Sequence, residues 1–548
     1  MRIGKVSLAA AAAVATVGSI AAIGITGAST FAASSRNESR STTPPLVMAP
    51  GPYGSYTANF NPFSTSNNPG TDGFVYEPLF YFSTVSSNQY GLLGQSYKWT
   101  NNGKTLTVTL RQGVKWTNGS AFSSKDVVFT FDLLKKNPAL DTSGLWTKLA
   151  SVQAPNSSTV VFNFKQTDIP FGTYVLETYI VPESIWSKIA NPAKFLNSHP
   201  VGTGPYELHR FTSQNYSYTP NPHYYLGKPK VPMIEFPAYD SNNALNTALA
   251  AGQIQWSGQF MPDIKGVYTS KSPTNHYWFA PYEVVGLFPD LKNPMMTLPV
   301  RKAVEVALNR SLMGTHGEYG YEKPASPTGL VLPAQKSYLA KGVAVHATYN
   351  PKEAVKILES AGYKKNSSGN FVSPSGKPLT LTIQVPAGWS DWDADCAMMA
   401  QELSAIGIPT TVQQDSYGEY VANLNGHKFS LAMTWTNPGP TPYYALYNAL
   451  DSKGNWNVEG WSNGATNRAL NQYSSTTNPA QQVKAIQTLE GIMEKDVPFI
   501  PILDGALWDE YNTANYVGWP TQSHPYVTNA PYSWPAPEIV VMHLKPRH

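Results

Sequence analysis

The nine residues Pro200–Leu208 constrain the fold of this chain more than any other short stretch. Gly202 and Gly204 flank a threonine, Pro205 closes the segment, and an alternating, tyrosine-rich run follows. Two glycines and a proline placed in this way predict a tight turn that leads into a β-strand. A phosphate-binding loop needs a helix and a Gly-Lys-Ser/Thr ending after its glycines, and neither follows in this sequence. We therefore predict a turn that feeds a central strand of a sheet.

The chain is long enough for two or three domains, because 548 residues exceed what a single hydrophobic core organises. Apolar residues make up 42% of it but charged residues only 14%, against about 25% in ordinary soluble proteins. Neutral polar side chains keep their character as pH falls, so this composition is compatible with an acidic habitat. The formal net charge is +4 without a basic run, so we expect no nucleic-acid partner. The one cysteine, Cys396, excludes an internal disulfide and a multi-thiolate metal site.

Residues 1–32 have the three parts of a secretory signal peptide. Arg2 and Lys5 form the positive end, Val6–Ile25 is apolar and alanine-rich, and Thr30–Ala32 offers a cleavage site with small residues. The apolar run is also nearly long enough for an uncleaved membrane anchor, although alanine and glycine make it only mildly hydrophobic. In either case the sequence predicts export, to the periplasm or to the outer face of the cell membrane.

The leader lacks a lipid attachment site. Ile25–Ala28 is similar to a bacterial lipobox, but alanine stands where the lipidated cysteine would be. Without that thiol no thioether-linked lipid forms, so we predict an exported protein that is not lipid-anchored. Residues 33–50 are rich in Ser, Thr, Pro and Arg and predict a flexible tether, with order beginning near Gly51.

The rest of the chain alternates between strand-like and helical patterns, which is typical of a mixed α/β sheet protein. Residues 84–195 predict a compact α+β unit, in which Asn118-Gly119 indicates a hairpin turn and Ser123–Asp126 caps a helix that runs through Leu134. Further helices are predicted at Asn242–Ala251, Val300–Leu312, Pro351–Ala361, Asp393–Ile406 and Gln481–Glu494. Strands are predicted at Leu106–Arg111, Val152–Phe164, Ile234–Phe236, Leu379–Val385, Thr410–Gln413, Phe429–Trp435 and Val497–Leu503.

Four stretches together resemble one protein family. They are Leu106–Phe131, Pro200–Leu208, Val300–Asn309 and Tyr349–Tyr363, and in order and spacing they are similar to the family 5 extracellular solute-binding proteins of ABC transporters. Members of this family bind dipeptides, oligopeptides or nickel, and the likeness covers residues 50–548. It implies an α/β, type II periplasmic-binding-protein fold, in which two lobes joined by crossing strands close over a ligand. It further implies an extra α+β subdomain inserted in the first lobe, and a membrane permease as partner.

The resemblance also implies how the chain is divided. Lobe I takes residues 51–83, 196–275 and 505–548, the inserted subdomain takes 84–195, and lobe II takes 276–504. We expect a monomer that carries a small-molecule ligand to an ABC permease, without a cofactor, a metal ion or catalysis.

One departure from the family pattern bears on the identity of the ligand. In peptide-binding relatives a Trp-x-Asp in the second lobe supplies a carboxylate to the amino terminus of the peptide, whereas the matching residues of this chain are Trp435, Thr436 and Asn437. An amide cannot form the charge-assisted bond that holds an ammonium group, worth about 1.5–3 kcal/mol. Asn437 offers both a donor and an acceptor, which suits a neutral, hydroxyl-rich ligand.

The aromatic residues of two segments, Asn437–Tyr444 and Gly518–Tyr526, resemble those of the sugar-binding branch of the family, which includes cellobiose binders. The C–H face of a pyranose stacks on Trp or Tyr while its hydroxyls meet polar side chains. Trp116 and Trp186 lie in periodic apolar patterns and are predicted to be core residues. For every other aromatic candidate, packing in a core is the alternative to ligand contact. The candidate platforms are Trp435, Trp256, Trp389, Trp392 and Tyr443.

Metal sites have weaker support in the sequence. Asp391, Asp393, Asp395 and Glu402 are spaced like a calcium loop, but Cys396 stands where glycine is needed and a helical pattern begins there. The ten histidines show no spacing typical of metal ligands.

Catalytic motifs, like metal sites, have little support in the sequence. The sequence contains no nucleophile elbow, and carboxylates such as Glu77, Asp504 and Glu510 could act together only if the fold brought them together.

The leading hypothesis is an exported substrate-binding protein that delivers a β-linked gluco- or manno-oligosaccharide to an ABC importer. The alternatives are an oligopeptide carrier, a secreted glycosidase and a cell-wall-binding module.

Overall fold

The computed structural model describes residues 43–547 except 65, 87, 240, 388, 416 and 455. The predicted signal peptide at residues 1–32, and the first part of the predicted tether, lie outside the described residues. Among the described helices, none combines the length and the hydropathy needed to span a bilayer.

The described strands are, in chain order, β1 (Leu46–Ala49), β2 (Phe80–Phe82), β3 (Gln89–Gly91), β4 (Gly94–Thr100), β5 (Thr105–Leu110), β6 (Leu149–Asn156), β7 (Thr159–Phe164), β8 (Tyr206–Phe211), β9 (Asn215–Pro220), β10 (Ile234–Pro237), β11 (Trp256–Ser257), β12 (Asn275–Tyr277), β13 (Ala280–Pro289), β14 (Lys323–Pro324), β15 (Lys364–Lys365), β16 (Phe371–Val372), β17 (Leu381–Pro386), β18 (Thr410–Asp415), β19 (Leu431–Trp435), β20 (Ile500–Leu507), β21 (Glu510–Asn512), β22 (Tyr516–Val517) and β23 (Lys545–Pro546).

The described helices are α1 (Ser124–Lys136), α2 (Leu145–Lys148), α3 (Phe171–Leu176), α4 (Glu183–Trp186), α5 (Asn242–Ala250), α6 (Ile264–Val267), α7 (Leu298–Ala307), α8 (Arg310–His316), α9 (Pro351–Ser360), α10 (Ser390–Ala405), α11 (Tyr417–Gly426), α12 (Pro442–Leu450), α13 (Gly464–Ser474), α14 (Pro479–Asp496) and α15 (Ala536–His543).

The first large sheet has seven strands in the order β12-β21-β11-β1-β10-β9-β8. Its middle strand is β1, which pairs in parallel with both β10 and β11. The tether predicted over residues 33–50 is therefore wrong at its C-terminal end, where Leu46–Ala49 forms a strand with three of its four residues fully buried. The Ser/Thr/Pro-rich composition of this segment concealed a four-residue apolar run, which is long enough to fill the centre of a sheet.

The Pro200–Leu208 segment makes the predicted turn and leads into β8. A Cβ at Gly202 would lie 1.8 Å from the carbonyl oxygen of Val75, and one at Gly204 would lie 2.4 Å from that of Phe74. Glycine is required because the turn packs directly against this backbone, to which the Gly204 N–H donates a hydrogen bond of 2.9 Å. The prediction of a central strand is wrong, since β8 lies at the edge of the sheet. Its residues are mostly half-buried or exposed, as an edge strand allows.

A separate four-stranded sheet, in the order β4-β5-β7-β6, lies within residues 84–195. The predicted capping box of α1 is confirmed, because the Ser123 side chain accepts from backbone N–H groups of the first turn and the Asp126 carboxylate accepts from the Ser123 N–H. Trp116 and Trp186 are each 1% exposed, so their prediction as core residues is also confirmed.

The second large sheet has six strands in the order β14-β20-β13-β19-β17-β18. It is mixed, as predicted, because β17 pairs in parallel with β18 and β19 while β13 pairs antiparallel with β19 and β20. We call the part built on the seven-stranded sheet lobe I and the part built on the six-stranded sheet lobe II. The lobe boundaries given above stay a prediction.

The single helix predicted at Val300–Leu312 is two helices, α7 and α8. The chain leaves the helical conformation at Leu308, and the Asn309 side chain caps α8 by accepting from the Leu312 N–H. The buried guanidinium of Arg310 fixes this break, because it donates to the carbonyl oxygen of Pro501 on β20 at 2.7 Å. The apolar periodicity continues across the break, which is why the sequence pattern alone did not reveal it.

The chain passes between the two large sheets at two adjacent places. One crossing joins β12 to β13 through Trp278 and Phe279, and the other joins β20 to β21 through Trp508 and Asp509. The two crossings are bonded together, because the Trp278 N–H donates to the Asp509 carbonyl oxygen at 3.1 Å and the rings of Phe279 and Trp508 meet edge to face at 4.7 Å.

A third connection between the parts of the molecule is made by side chains, and we call it the tyrosine brace. The Tyr444 hydroxyl on α12 of lobe II donates to the carbonyl oxygen of Pro170 at 2.7 Å and lies 2.6 Å from the Thr173 hydroxyl. Beside it, the Ile169 N–H donates to the Ser474 carbonyl oxygen at 2.8 Å. The segment before and within α3 is thereby attached to lobe II.

Candidate functional site

A cavity of about 350 Å³ lies beside the crossing strands, and we call it the tryptophan pocket. Lobe II supplies most of its wall, lobe I supplies Phe260 after β11, and the second crossing supplies Trp508. Its volume is within the range of about 300–1,000 Å³ that is usual for small-molecule sites. The described residues that line it are Phe260, Glu283, Val285, Glu322, Trp389, Asp391, Trp392, Trp435, Ala506 and Trp508.

Four indole rings form an ordered row, and three of them, Trp389, Trp392 and Trp435, line the pocket. Trp435, at the end of β19, lies parallel to Trp389 at a centroid distance of 5.9 Å and parallel to Trp456 at 5.4 Å. Trp392, one turn into α10, meets Trp389 edge to face at 5.0 Å. Trp389 is the most open of the four, at 37% exposed, whereas Trp392 is buried beneath it at 6%. The row therefore presents aromatic surface to the cavity mainly through Trp389 and Trp435.

Two further aromatic side chains, Phe260 and Trp508, line the pocket. The rings of Phe260 and Trp508 meet edge to face at 5.4 Å, and Phe260 also meets Tyr319 at 6.1 Å. A ligand in the cavity thus meets aromatic groups from lobe II, from lobe I and from the crossing.

Three of the predicted platforms, Trp389, Trp392 and Trp435, are brought together in this pocket. Trp256 is not among them: it is fully buried in lobe I, where its Nε1 donates to the Asn529 carbonyl oxygen at 2.7 Å and its ring packs against Trp519. In this arrangement Trp256 has no ring face to offer a ligand, because its position inside a strand of the sheet turns the indole into the core.

Tyr443 and Asn437 also lie away from the lining of the pocket. Tyr443 is 5% exposed and stacks on Tyr473 at 4.7 Å within the core of lobe II, so it is not available as a platform. Asn437 is half-buried, and its backbone carbonyl oxygen accepts from Asn448 Nδ2 at 3.1 Å. Proximity in sequence to Trp435 therefore does not bring these two residues into the lining of the cavity.

Carboxyl groups are the polar side chains of the pocket. Glu283, Glu322 and Asp391 line it, while Glu318 and Asp395 are fully buried behind them. Burial raises the pKa of Glu283 to about 8, and burial together with the neighbouring Asp391 carboxylate raises that of Asp395 to about 8. Burial and the neighbouring carboxylates raise the pKa of Glu318 and Glu322 in the same direction. These groups are consequently neutral over more of the pH range than ordinary carboxylic acids.

The oxygens of this cluster are incompletely bonded within the protein. Glu322 Oε1 accepts from the Ala506 N–H at 2.8 Å, but Glu322 Oε2 is buried without a hydrogen-bond partner among the described residues. Among the described residues that line the tryptophan pocket, none is Lys, Arg or His. The pocket therefore combines aromatic faces with oxygen acceptors and favours a ligand that brings O–H or N–H donors, while it disfavours an anion.

The residues considered above for calcium binding and for catalysis are placed differently in the structure. The calcium-like spacing from Asp391 lies within α10, as the helical pattern predicted. No group of three or more His, Cys, Asp or Glu residues in the described ranges is arranged to hold a metal ion. Glu77, Asp504 and Glu510 have separate surroundings, on the segment before β2, on β20 and on β21 respectively.

Sequence reasoning missed seven of the ten described lining residues of the pocket: Phe260, Glu283, Val285, Glu322, Asp391 as a lining residue, Ala506 and Trp508. The position of Trp508 shortly after the predicted strand Val497–Leu503 could have identified it as a residue near the end of a strand. Nothing in the sequence around Glu322 marks it, because its position next to β14 depends on the pairing of β14 with β20.

Comparison with known proteins supports the fold. The family model of the bacterial extracellular solute-binding proteins, family 5, matches residues 88–457. Among curated proteins, one from Brucella ovis, named as an ABC transporter peptide-binding protein, is 27% identical over 515 residues, which cover 86% of this chain and 91% of the relative.

Comparison with solved structures supports the same fold. The periplasmic oligopeptide-binding protein of an oligopeptide ABC transporter from Thermotoga maritima superposes with a TM-score of 0.83 at 27% identity, covering 92% of this chain and 99% of that one. A second structure of that protein has mannohexaose bound and gives a TM-score of 0.76 at 27% identity, covering 92% of this chain and 98% of that one. The two lobes and the inserted subdomain are those of a type II periplasmic binding protein. With the family model matching two thirds of its length, this chain belongs to family 5 of the bacterial extracellular solute-binding proteins, the substrate-binding components of ABC transporters.

Proposed function

We propose that this protein binds a neutral oligosaccharide, of the β-linked gluco or manno type, in the tryptophan pocket and delivers it as a monomer to an ABC permease. The observation that carries the proposal is the row of indole rings at Trp389 and Trp435 beside carboxyl groups and without a basic side chain in the described lining. Aromatic faces pack against the C–H surface of a pyranose, and carboxyl oxygens accept from its hydroxyls. The mannohexaose bound to the Thermotoga relative supports the same class of ligand.

An oligopeptide is the second candidate, and one observation favours it. Glu283, Glu322 and Asp391 line the pocket, so the N–H groups of an ammonium would find carboxyl oxygens there as acceptors even though Asn437 has replaced the acid of the peptide-binding pattern. The Brucella relative is named for peptide binding. Against a peptide stands its carboxylate terminus, for which the described lining of the pocket offers no cationic side chain.

A thermal-shift and calorimetry screen separates the two candidates. Cello- and manno-oligosaccharides and short peptides are each added to the purified, leaderless protein. A ligand at 100 times its Kd stabilises the folded state by about 2.7 kcal/mol, which raises Tm measurably. We expect a shift with an oligosaccharide; a shift with peptides alone would replace the first candidate by the second. Release of new reducing ends from the sugars would instead reveal a glycosidase.

Single substitutions then test the pocket. Trp389→Ala and Trp435→Ala each remove aromatic contact area, and we expect each to weaken oligosaccharide binding by about ten- to hundredfold, or about 1.4–2.7 kcal/mol. Trp461→Ala is the matched control, since Trp461 is half-buried and bonds Thr466 through Nε1 but does not line the pocket. Unchanged affinity in both pocket variants, with Tm preserved, would show that the ligand binds elsewhere.

A further inference from the structure

Two adjoining cavities, one in lobe I and one between lobe I and residues of the inserted subdomain, have no role in the site described so far. Their volumes are about 440 and 550 Å³, each larger than the tryptophan pocket. Asn67, Asp72 and Trp534 line both of them. We call the two together the Trp534 groove.

The indole of Trp534 is the common wall of the groove. Phe74 holds it from one side, edge to face at 5.0 Å, and the ring is half-buried. Further aromatic side chains line each cavity, among them Phe63 and Tyr179 in the smaller and Tyr56 in the larger. The groove therefore offers aromatic surfaces for flat rings in both of its halves.

The groove lies next to the tryptophan pocket, and one hydrogen bond joins a lining residue of each. The Trp508 N–H donates to the Tyr532 hydroxyl at 2.8 Å. Trp508 lines the tryptophan pocket, and Tyr532 lines the larger cavity of the groove, two residues before Trp534. The two sites therefore share a wall, and the Tyr532 side chain packs within this wall against Gly258, where a Cβ would lie 2.8 Å from its ring.

The polar groups of the groove match those of the tryptophan pocket. Asp72 Oδ2 accepts from Asn67 Nδ2 at 3.0 Å, but its Oδ1 is buried without a hydrogen-bond partner among the described residues. Glu177 Oε1 accepts from the Phe82 N–H at 3.0 Å and leaves acceptor capacity for a ligand. No Lys, Arg or His is found in the described lining of either cavity. Both sites thus favour the same chemistry, a ring with an apolar face and hydroxyl donors at its rim.

We propose that one oligosaccharide occupies both sites. Its first sugar unit lies in the tryptophan pocket, and the Trp534 groove binds its further units. The ligand is then an oligosaccharide longer than a disaccharide, with its units placed along Trp508, Tyr532 and Trp534. This inference rests on the proposed function, because it assigns the groove to the same ligand.

Calorimetry with a length series tests the groove. Cello- or manno-oligosaccharides of two to six units are titrated into the wild-type protein and into Trp534→Ala. We expect the affinity of the wild type to increase with length by at least about tenfold, which is about 1.4 kcal/mol. We expect Trp534→Ala to lose about this factor for the hexaose while its affinity for the disaccharide changes by less than about twofold.

Two control variants separate stacking from folding. Trp534→Phe retains an aromatic face and should recover most of the affinity for the hexaose. Trp99→Ala removes another half-buried indole, one that packs on Phe164 and lines neither cavity, and should leave every affinity unchanged.

The outcomes are distinguishable. Sugar binding with the same affinity at every length, or an equal loss in Trp534→Ala for the disaccharide and the hexaose, would overturn the groove while leaving the tryptophan pocket in place. Absence of binding by every oligosaccharide to the wild type would overturn the proposed function and this inference together.

Discussion

Replacing Asp395 by asparagine should stabilise the protein near neutral pH. Asp395 is fully buried, neither of its carboxyl oxygens has a hydrogen-bond partner among the described residues, and one of them packs against the backbone of Gly317. Burial and the adjacent Asp391 raise its pKa from 3.8 to about 8. An aspartate held in this way must keep its proton when the chain folds, and asparagine has the same shape without that requirement.

The sign and size of the effect follow from proton binding. Between the two pKa values the folded protein holds a proton on Asp395 that the unfolded chain has released, so the free energy of unfolding falls by about 1.4 kcal/mol for each pH unit. The stabilisation from the neutral group is complete below pH 3.8 and is lost as pH rises through about 8. From about pH 4 to pH 7 this group alone removes about 3–4 kcal/mol of stability, and Asp395→Asn should recover that amount at pH 7.

Urea denaturation followed by tryptophan fluorescence measures the effect at pH 4.5 and pH 7. We expect Asp395→Asn to exceed the wild type by about 3–4 kcal/mol at pH 7 and by less than about 1 kcal/mol at pH 4.5. Asp132→Asn, on α1 and half-buried, is the control and should differ by less than about 0.5 kcal/mol at both values. A variant that is no more stable than the wild type at pH 7, or a difference that does not depend on pH, would refute the reasoning.

Three other substitutions have defined outcomes. Tyr225→Phe should lower the free energy of unfolding by about 1.5–3 kcal/mol in urea, because the Tyr225 hydroxyl donates at 2.6 Å to the buried Glu77 carboxyl. Gly202→Ala should prevent folding or lower the free energy of unfolding by more than about 4 kcal/mol, since its Cβ would collide with the Val75 carbonyl oxygen. Soluble yield and circular dichroism measure this effect. A folded variant with a normal Tm would contradict it. Gly491→Ala, in α14 with open space at the Cβ position, should raise stability by about 0.5–1 kcal/mol, and a lowered Tm would count against the helix there.

The elements that could be predicted from the sequence are those that local chemistry decides. The capping box at Ser123 and Asp126 lies within four residues, and the Gly202–Gly204 turn has a backbone requirement that only glycine meets. The break between α7 and α8 was missed because Arg310 stabilises it through Pro501, which is distant in the sequence.

The candidate site was harder to predict for the same reason. Its residues come from stretches that meet only because β13, β19 and β20 are neighbours in one sheet, and because the crossing brings Trp508 to its end. The resemblance to the family pattern pointed to Trp435, whereas Trp389 and Trp392 were identified by residue type, and the same criterion selected Trp256, which the lobe I core encloses. Residue type indicates what a side chain could bind, whereas only the register of the sheet decides whether it faces a cavity.

The tyrosine brace has a consequence for the rate at which a ligand leaves. A ligand held between closing lobes can dissociate only after the lobes separate, so interactions that join the lobes contribute to the barrier for release. The Tyr444 hydroxyl connects α12 to Pro170 at a distance from the tryptophan pocket, without touching the lining of that pocket. Tyr444→Phe should therefore shorten the residence time of the ligand, while the contacts that the ligand itself makes stay the same. The brace would in this way add to the time for which a ligand is held, beyond what the contacts within the pocket alone provide.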